Sequence, residues 1–452
     1  MIWKRFNPAF PDLTLTLKTK PMKIQSTHNQ AKAKRYIVVL PNADESTIKQ
    51  AEEELSVQLV SSAELNDENR AFQIMSSDTG IFYKNLNIAV VDHVPTQRLS
   101  TSVANPNSPV LYWEEEREYR IADGFQILQE LKSQALNLTN KLEQLEASLD
   151  LKDPNTNDET DDTWKNATWG LLASNLTNSK ATGKGVKVCV LDTGFYASHP
   201  DFSDRVVEGK SFIAGENWDD DRNGHGTHCV GTAAGRHSDD GKRYGVAPDA
   251  DIYVGKVLSN SGSGSTSGIV DAIDWALEKG CKVISMSLGA PTNVGQSPSL
   301  IFERSGERAL NNGCIIVAAA GNDSGRPGFM RPVSSPANSK SIMAVAAVDS
   351  ASNIASFSNA GLNNSTGGRV DICAPGVDVF SCYSKDAAGG VLYKRLNGTS
   401  MATPHVAGLA ALYWEQFPNA SASEIWLKLE KQAKVLNHLQ SRDIGVGLAQ
   451  AI

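Results

Sequence analysis

At 452 residues the chain is longer than one hydrophobic core commonly fills, so one large domain of roughly 250 to 300 residues with a smaller companion is expected. A net charge of -8 without a clustered basic face argues against nucleic acid as a partner. The longest apolar run, residues 314–320, falls far short of the roughly 20 residues a membrane span needs, and residues 1–20 do not read as a secretory signal. No membrane segment is therefore expected, and the compartment stays open.

Residues 1–34 are basic and irregular. An apolar run at 36–40 (YIVVL) predicts a strand, and Ile48, Ala51 and Leu55 on one stripe predict a helix after it. Residues 85–92 (NLNIAVVD) read as a strand, 96–103 as a second helix and 109–113 as a last strand. The β, α, β, β, α, β order suggests a small α+β ferredoxin-like unit over residues 35–117.

Residues 118–163 read as a connecting segment. Leu128, Leu131, Ala135, Leu138, Leu142, Leu145 and Leu149 alternate by three and four, which predicts an amphipathic helix. Such a helix packs on its own domain or pairs with a second copy, so the oligomeric state is not fixed. Residues 153–162 (DPNTNDETDD) hold five acids and no base, as a solvated linker would.

From Trp164 to Ile452 strand-like and helix-like runs alternate: 186–192 (VKVCVLD), 251–258 (DIYVGKVL), a helix at 268–279, 281–289 (CKVISMSLG), a helix at 305–311, 314–322 (CIIVAAAGN) and 341–349 (SIMAVAAVD). Strands that are apolar throughout, separated by helices, predict an α/β fold of three layers around a mainly parallel sheet. Sites in such sheets gather where strands end. Of the six cysteines, Cys189, Cys281 and Cys314 lie inside apolar runs and read as free, buried residues; Cys373 and Cys382 are the pair first in line for a bond.

Three segments carry chemistry. In 397–408 (NGTSMATPHVAG), Ser400 sits on a glycine-flanked turn leading into an apolar helix, but a hydroxyl needs a neighbouring base to become a nucleophile. Asp192 follows a buried strand in VLDTG, where it can point into a cleft or merely cap a turn. His225 stands between two glycines at the start of a small-residue helix in NGHGTHCVGTAAG, a setting also used by structural histidines. The start of the Ser400 helix would favour developing negative charge. Pro404 is expected in the first turn, and His405 reads as a packed structural residue.

The chain order Asp, His, Ser and these motifs resemble the subtilisin family of serine proteases over residues 164–452. The resemblance implies that Ser400 attacks a peptide carbonyl and forms an acyl-enzyme, that His225 carries the proton and that Asp192 orients the imidazole. It also implies that Asn322, in AAAGND, donates to the oxyanion. Gly262, Ser263 and Gly264, with Ser287, Leu288 and Gly289, resemble the two segments between which a substrate strand pairs, so polypeptides of broad sequence are the implied substrates. No cofactor is implied for the chemistry.

Cys229 lies one helical turn after His225 and is similar to a cysteine of the proteinase K branch, whereas the 235–245 loop is nearer in length to a calcium-binding loop of secreted subtilisins. Structural calcium would need several oxygens, from Asp201 with the Asp239 and Asp240 loop, or from Asp371 with carbonyls near Lys340 and Ile342; solvated surface acids are the alternative. The N-terminal unit resembles the family's propeptide, an intramolecular inhibitor, which implies a self-processed zymogen cut somewhere between Glu116 and Trp164.

Overall fold

Strand β1 (Arg35–Val39) buries both its faces, as an interior strand of the N-terminal sheet does. In the computed structural model the described residues are 34–65, 78–121, 164, 166–363, 365, 367–384 and 392–452. The basic segment up to residue 33, the leucine-seam helix and the acidic linker lie outside them. After β1 come α1 (Glu45–Leu55), β2 (Gln58–Ser61), β3 (Thr79–Tyr83), β4 (Ile88–Asp92), α2 (Thr96–Ala104) and β5 (Tyr112–Glu115). Asp44 caps α1 by accepting from the Thr47 amide at 2.7 Å.

The sheet order is β2-β3-β4-β1-β5, with β1 antiparallel to both β4 and β5. This is the ferredoxin-like order with one addition, β2, running parallel to β3 at the edge. Tyr36 and Val38 join Ala51, Leu55 and Leu99 in a core under the two helices. Ile37, Val39 and Val90 point the opposite way, into the core of the larger unit.

Residues 118–121, grouped above with the connecting segment, form a strand, β6 (Glu118–Ile121). The larger unit then builds a seven-stranded sheet from β7 (Lys187–Asp192), β8 (Val207–Ser211), β9 (Asp251–Lys256), β11 (Val283–Met286), β13 (Ile315–Ala319), β14 (Met343–Val348) and β15 (Ile372–Pro375). Its order is β15-β14-β13-β11-β7-β9-β8, and every pairing is parallel. Between these lie β10 (Ser263–Ser265) and β12 (Leu288–Gly289), and after them β16 (Val379–Cys382) and β17 (Tyr393–Leu396).

Alternate residues of each parallel strand enter different cores, which is why the strands are apolar throughout. Val188, Val190, Val254 and Val317 meet α3 (His225–Ala234) and α6 (Thr399–Gln416) on one face. Cys189, Leu191, Ile284 and Ile316 meet α4 (Thr266–Glu278) and α5 (Leu300–Asn311) on the other. The layers predicted from the sequence are thus present, and the N-terminal sheet adds its inner face to the second core.

All six cysteines are free and buried. Cys373 and Cys382 are therefore not bonded: they stand on different strands, and the Cys382 thiol instead donates to the Thr227 carbonyl at 3.2 Å. Burial pushes both thiols well above the ordinary cysteine value. Among the described residues no helix is long and apolar enough to cross a membrane.

Candidate active site

Asp192 ends β7, where its backbone carbonyl accepts from the amides of Val257 and Leu258 at 2.9 and 3.0 Å. Its Oδ1 accepts from the Thr193 amide and from His225 Nδ1, each at 2.7 Å. His225 is the first residue of α3, after Gly224 with φ 87°, a conformation suited to glycine. Gly226 lets the helix approach so closely that an added Cβ would collide with the Gly194 carbonyl oxygen. A carboxylate at Nδ1 holds the proton there and makes Nε2 the basic nitrogen. Burial, the largest single influence, would lower the imidazolium's pKa, but the Asp192 charge and hydrogen bond, together with Cys229, outweigh it and hold the value well above that of an ordinary histidine.

Asp221 ties the two loops together. Its Oδ1 accepts from Thr193 Oγ1 (3.0 Å) and the amides of Asn223 (3.1 Å) and Gly224 (2.9 Å), and its Oδ2 from the Thr227 amide (2.9 Å) and hydroxyl (2.7 Å). Thr193 Oγ1 in turn accepts from the Gly226 amide at 2.8 Å. Lys256, fully buried and opposite Asp192 in the β7–β9 register, donates to the Thr193 carbonyl and pairs with Glu216 at 3.1 Å. Sequence reasoning passed over Asp221; its one local signal is an acid just ahead of a helix start.

Ser400 is the second residue of α6 and is buried. First-turn amides of a helix have no intrahelical acceptor, so the Ser400 N–H is a donor at the positive end of the dipole. Pro404 does not lie in the first turn, as expected above, but inside the helix, four residues after Ser400. Having no amide, it cannot bond the Ser400 carbonyl. That oxygen accepts instead from Ser287 Oγ (2.7 Å) and the Cys229 thiol (3.5 Å). Cys229 Sγ is also 3.9 Å from His225 Nδ1, so one thiol touches both motifs. Asn322 accepts through Oδ1 from the Thr399 amide (2.9 Å) and hydroxyl (2.8 Å), which fixes the amide beside Ser400. His405 bonds the Met401 carbonyl at 2.8 Å, and burial pulls its pKa down to about 4, as befits a packed neutral residue.

The two segments expected to hold a substrate strand hold β6. Ser263, Gly264 and Ser265 pair antiparallel with Arg120, Tyr119 and Glu118, and Leu288 and Gly289 pair with Ile121 and Arg120. The Ile121 amide reaches the Gly262 carbonyl at 2.9 Å. Ser287 stands apart from this pairing and turns its hydroxyl to Ser400.

Among the described residues, Asp192, His225 and Cys229 are the one set of three such side chains whose ligand atoms approach within 4.8 Å. The Cys229 thiol is pushed up to about 11 by burial, and metals bind thiolate, so this set does not fit a resident metal. The calcium positions named from the sequence do not fit either. Asp201 accepts from the hydroxyls of Tyr244 (2.6 Å) and Tyr393 (2.7 Å), one on each oxygen. Asp371 pairs with Arg369 at 2.5 Å and accepts from the Ala344 amide at 2.7 Å. Asp240 is taken by Ser238 and Lys242. These carboxylates face donors, not a ring of oxygens.

Comparison with known proteins agrees with this geometry. The profile described as Subtilase family matches residues 183–447. Subtilisin DY of Bacillus licheniformis is 45% identical over 251 residues, 56% of this chain and 84% of that protein. Subtilisin Savinase of Lederbergia lenta is 42% identical over 286 residues, 63% of this chain and 97% of that protein. Among solved structures, Sphericase superposes with a TM-score of 0.55 at 33% identity, covering 63% of this chain and 98% of that one. With its parallel sheet and these relatives, the chain belongs to the subtilase family and is a subtilisin-like serine endopeptidase.

Proposed function

We propose that hydrolysis proceeds through an acyl-enzyme on Ser400, with Asp192, His225 and Ser400 as the triad. His225 Nε2 takes the Oγ proton as the oxygen attacks the substrate carbonyl, then returns it to the departing amine; water repeats the cycle and releases the acid. Asp192 holds the Nδ1–H tautomer and balances the imidazolium charge. The Asn322 amide and the Ser400 N–H receive the oxyanion; losing one such donor costs about 3 kcal/mol, a magnitude that comes from this same family. The observation that carries this reading is the 2.7 Å Asp192–His225 bond, linked through Cys229 to Ser400 at a helix start.

We further infer that the chain is made as a zymogen, with residues 35–117 and β6 as its own inhibitor, 118–163 as the connection and 164–452 as the peptidase. The support is the seating of β6 between β10 and β12, where a substrate would pair with Gly262, Ser263, Gly264, Leu288 and Gly289. Those contacts are main-chain, which suits polypeptides of broad sequence. The strand's direction supports a cut beyond Ile121 and before Trp164.

Intact mass and N-terminal sequencing of purified wild-type and Ser400→Ala chains test both parts. The wild type should be shortened and take up one fluorophosphonate, while Ser400→Ala stays full length and unlabelled. Normal processing of Ser400→Ala would sink the proposal.

A further inference from the structure

The loops after β13 and β14 lie side by side at the ends of neighbouring parallel strands, and Asn359 of the second loop grips the first. Asn359 is fully buried. Its backbone amide donates to the Gly321 carbonyl at 3.0 Å. Its Oδ1 accepts from the Asp323 amide and from Ser324 Oγ, each at 3.0 Å. Its Nδ2 donates to Asp323 Oδ2 at 3.0 Å and to Ser334 Oγ at 3.3 Å. The full bonding capacity of an asparagine side chain is thus in use. The way the amide faces is set by Asp323, whose N–H can only donate and whose carboxylate can only accept.

Gly321 and Asp323 flank Asn322, so Asn359 holds the main chain on both sides of that residue. Gly321 has φ 106°, a left-handed backbone suited to glycine, and a Cβ added there would run into Asn359 Nδ2 and Ser334 Oγ. The Asn322 side chain is fixed separately, by the Thr399 amide and hydroxyl at its Oδ1. Two anchors therefore act on one donor: Thr399 on its side chain and Asn359 on the backbone that carries it.

We propose that Asn359 is a positioning residue for the oxyanion, acting through Asn322 and touching no substrate. The inference rests on the reading that Asn322 receives the oxyanion. A donor stabilises developing charge only where it already stands within reach of it, and a misplacement on the order of 1 Å costs about 100-fold in rate. Without the Asn359 side chain, the Asp323 amide and the Ser324 hydroxyl lose their acceptor and the Asp323 carboxylate loses a donor, so the turn shifts to satisfy them elsewhere. The oxyanion exists only as the bond is being broken, so the loss falls on kcat and leaves KM nearly unchanged.

Steady-state kinetics of the full chain on a chromogenic peptide test this in a double-mutant cycle, with rates taken per mole of processed chain counted by intact mass. Asn322→Ala should lower kcat about 100-fold, the size that this same family gives for one lost donor. Asn359→Ala should lower kcat about 10-fold with KM within about 2-fold, and should cost less than about 2-fold when added to Asn322→Ala. A loss confined to KM, or the same 10-fold loss repeated in the double variant, would overturn the proposal. An Asn322→Ala chain with wild-type kcat would instead overturn the oxyanion reading, and the role of Asn359 with it.

A swap of polarity decides the matter if Asn359→Ala does not fold. Asn359→Asp sets a second carboxylate against Asp323 and should lower kcat about 10-fold. Adding Asp323→Asn again faces a donor with an acceptor and should return kcat to within about 3-fold of the wild type. If the swapped chain stays as slow as Asn359→Asp alone, this clamp does not position Asn322 and the proposal falls.

Discussion

Pro404 lies four residues after Ser400, and its missing amide releases the Ser400 carbonyl to Ser287 Oγ at 2.7 Å. A proline inside a buried helix is costly by itself. Here the freed carbonyl ties α6 to the loop between β11 and β12. The Ser400 backbone is thereby anchored to the segment that leads into β12.

Removing that anchor should be measurable. Ser287→Ala should lower stability by about 1 to 3 kcal/mol in denaturant unfolding, because a buried carbonyl loses its main donor. Adding Pro404→Ala supplies an amide to the same oxygen and should recover part of the loss. Strictly additive effects of the two changes would rule out the shared carbonyl as the cause.

Asp221 should matter to rate more than to substrate affinity. Asp221→Ala leaves five hydrogen bonds to the Asp192 and His225 loops without an acceptor, at a cost on the order of 3 kcal/mol. The expected result is a kcat lower by about 100-fold with KM little changed, and a milder loss in Asp221→Asn, which keeps the Oδ1 contacts. A fall confined to KM would contradict this role.

The His225 imidazolium is held above the ordinary value of 6.5, and a base must be neutral to act. Activity should therefore rise with pH, with a midpoint in kcat/KM above 6.5. Asp192→Asn removes the raising charge, so the midpoint should fall while kcat drops. The stability linkage runs the other way. A folded pKa above the unfolded one stabilises fully below 6.5, and that contribution disappears as pH climbs through the folded value. A kcat/KM midpoint at or below 6.5 would disprove the coupling.

The Asp201 carboxylate is satisfied by two tyrosine hydroxyls. Chelator should then leave the melting temperature unchanged, whereas Tyr244→Phe should cost about 1 kcal/mol. A chelator-induced drop that Asp201→Asn abolishes would show a cation at this position.

Much of the site was legible in the sequence because its signals are local. Asp192 at a strand end, His225 before a small-residue helix and Ser400 on a glycine turn are each marked within a few residues. The parallel sheet followed from strands that are apolar on both faces, and the one-turn spacing of Cys229 from His225 foretold their contact. The placement of Pro404 was misjudged by one turn, since a helix start of small residues carries no sharp cap.

What the sequence by itself determined is thus the fold class and the chemical groups, which depend on local periodicity and near neighbours. Only the tertiary structure decided that Ser287 holds Ser400 across 113 residues, that Tyr393 holds Asp201 across 192, and that β6 pairs with both β10 and β12 with Tyr119 against Ser335. Such contacts join side chains whose neighbours along the chain are unremarkable. Their partners are chosen by how sheets and helices stack, and buried polar groups then bond to whatever that packing brings within reach.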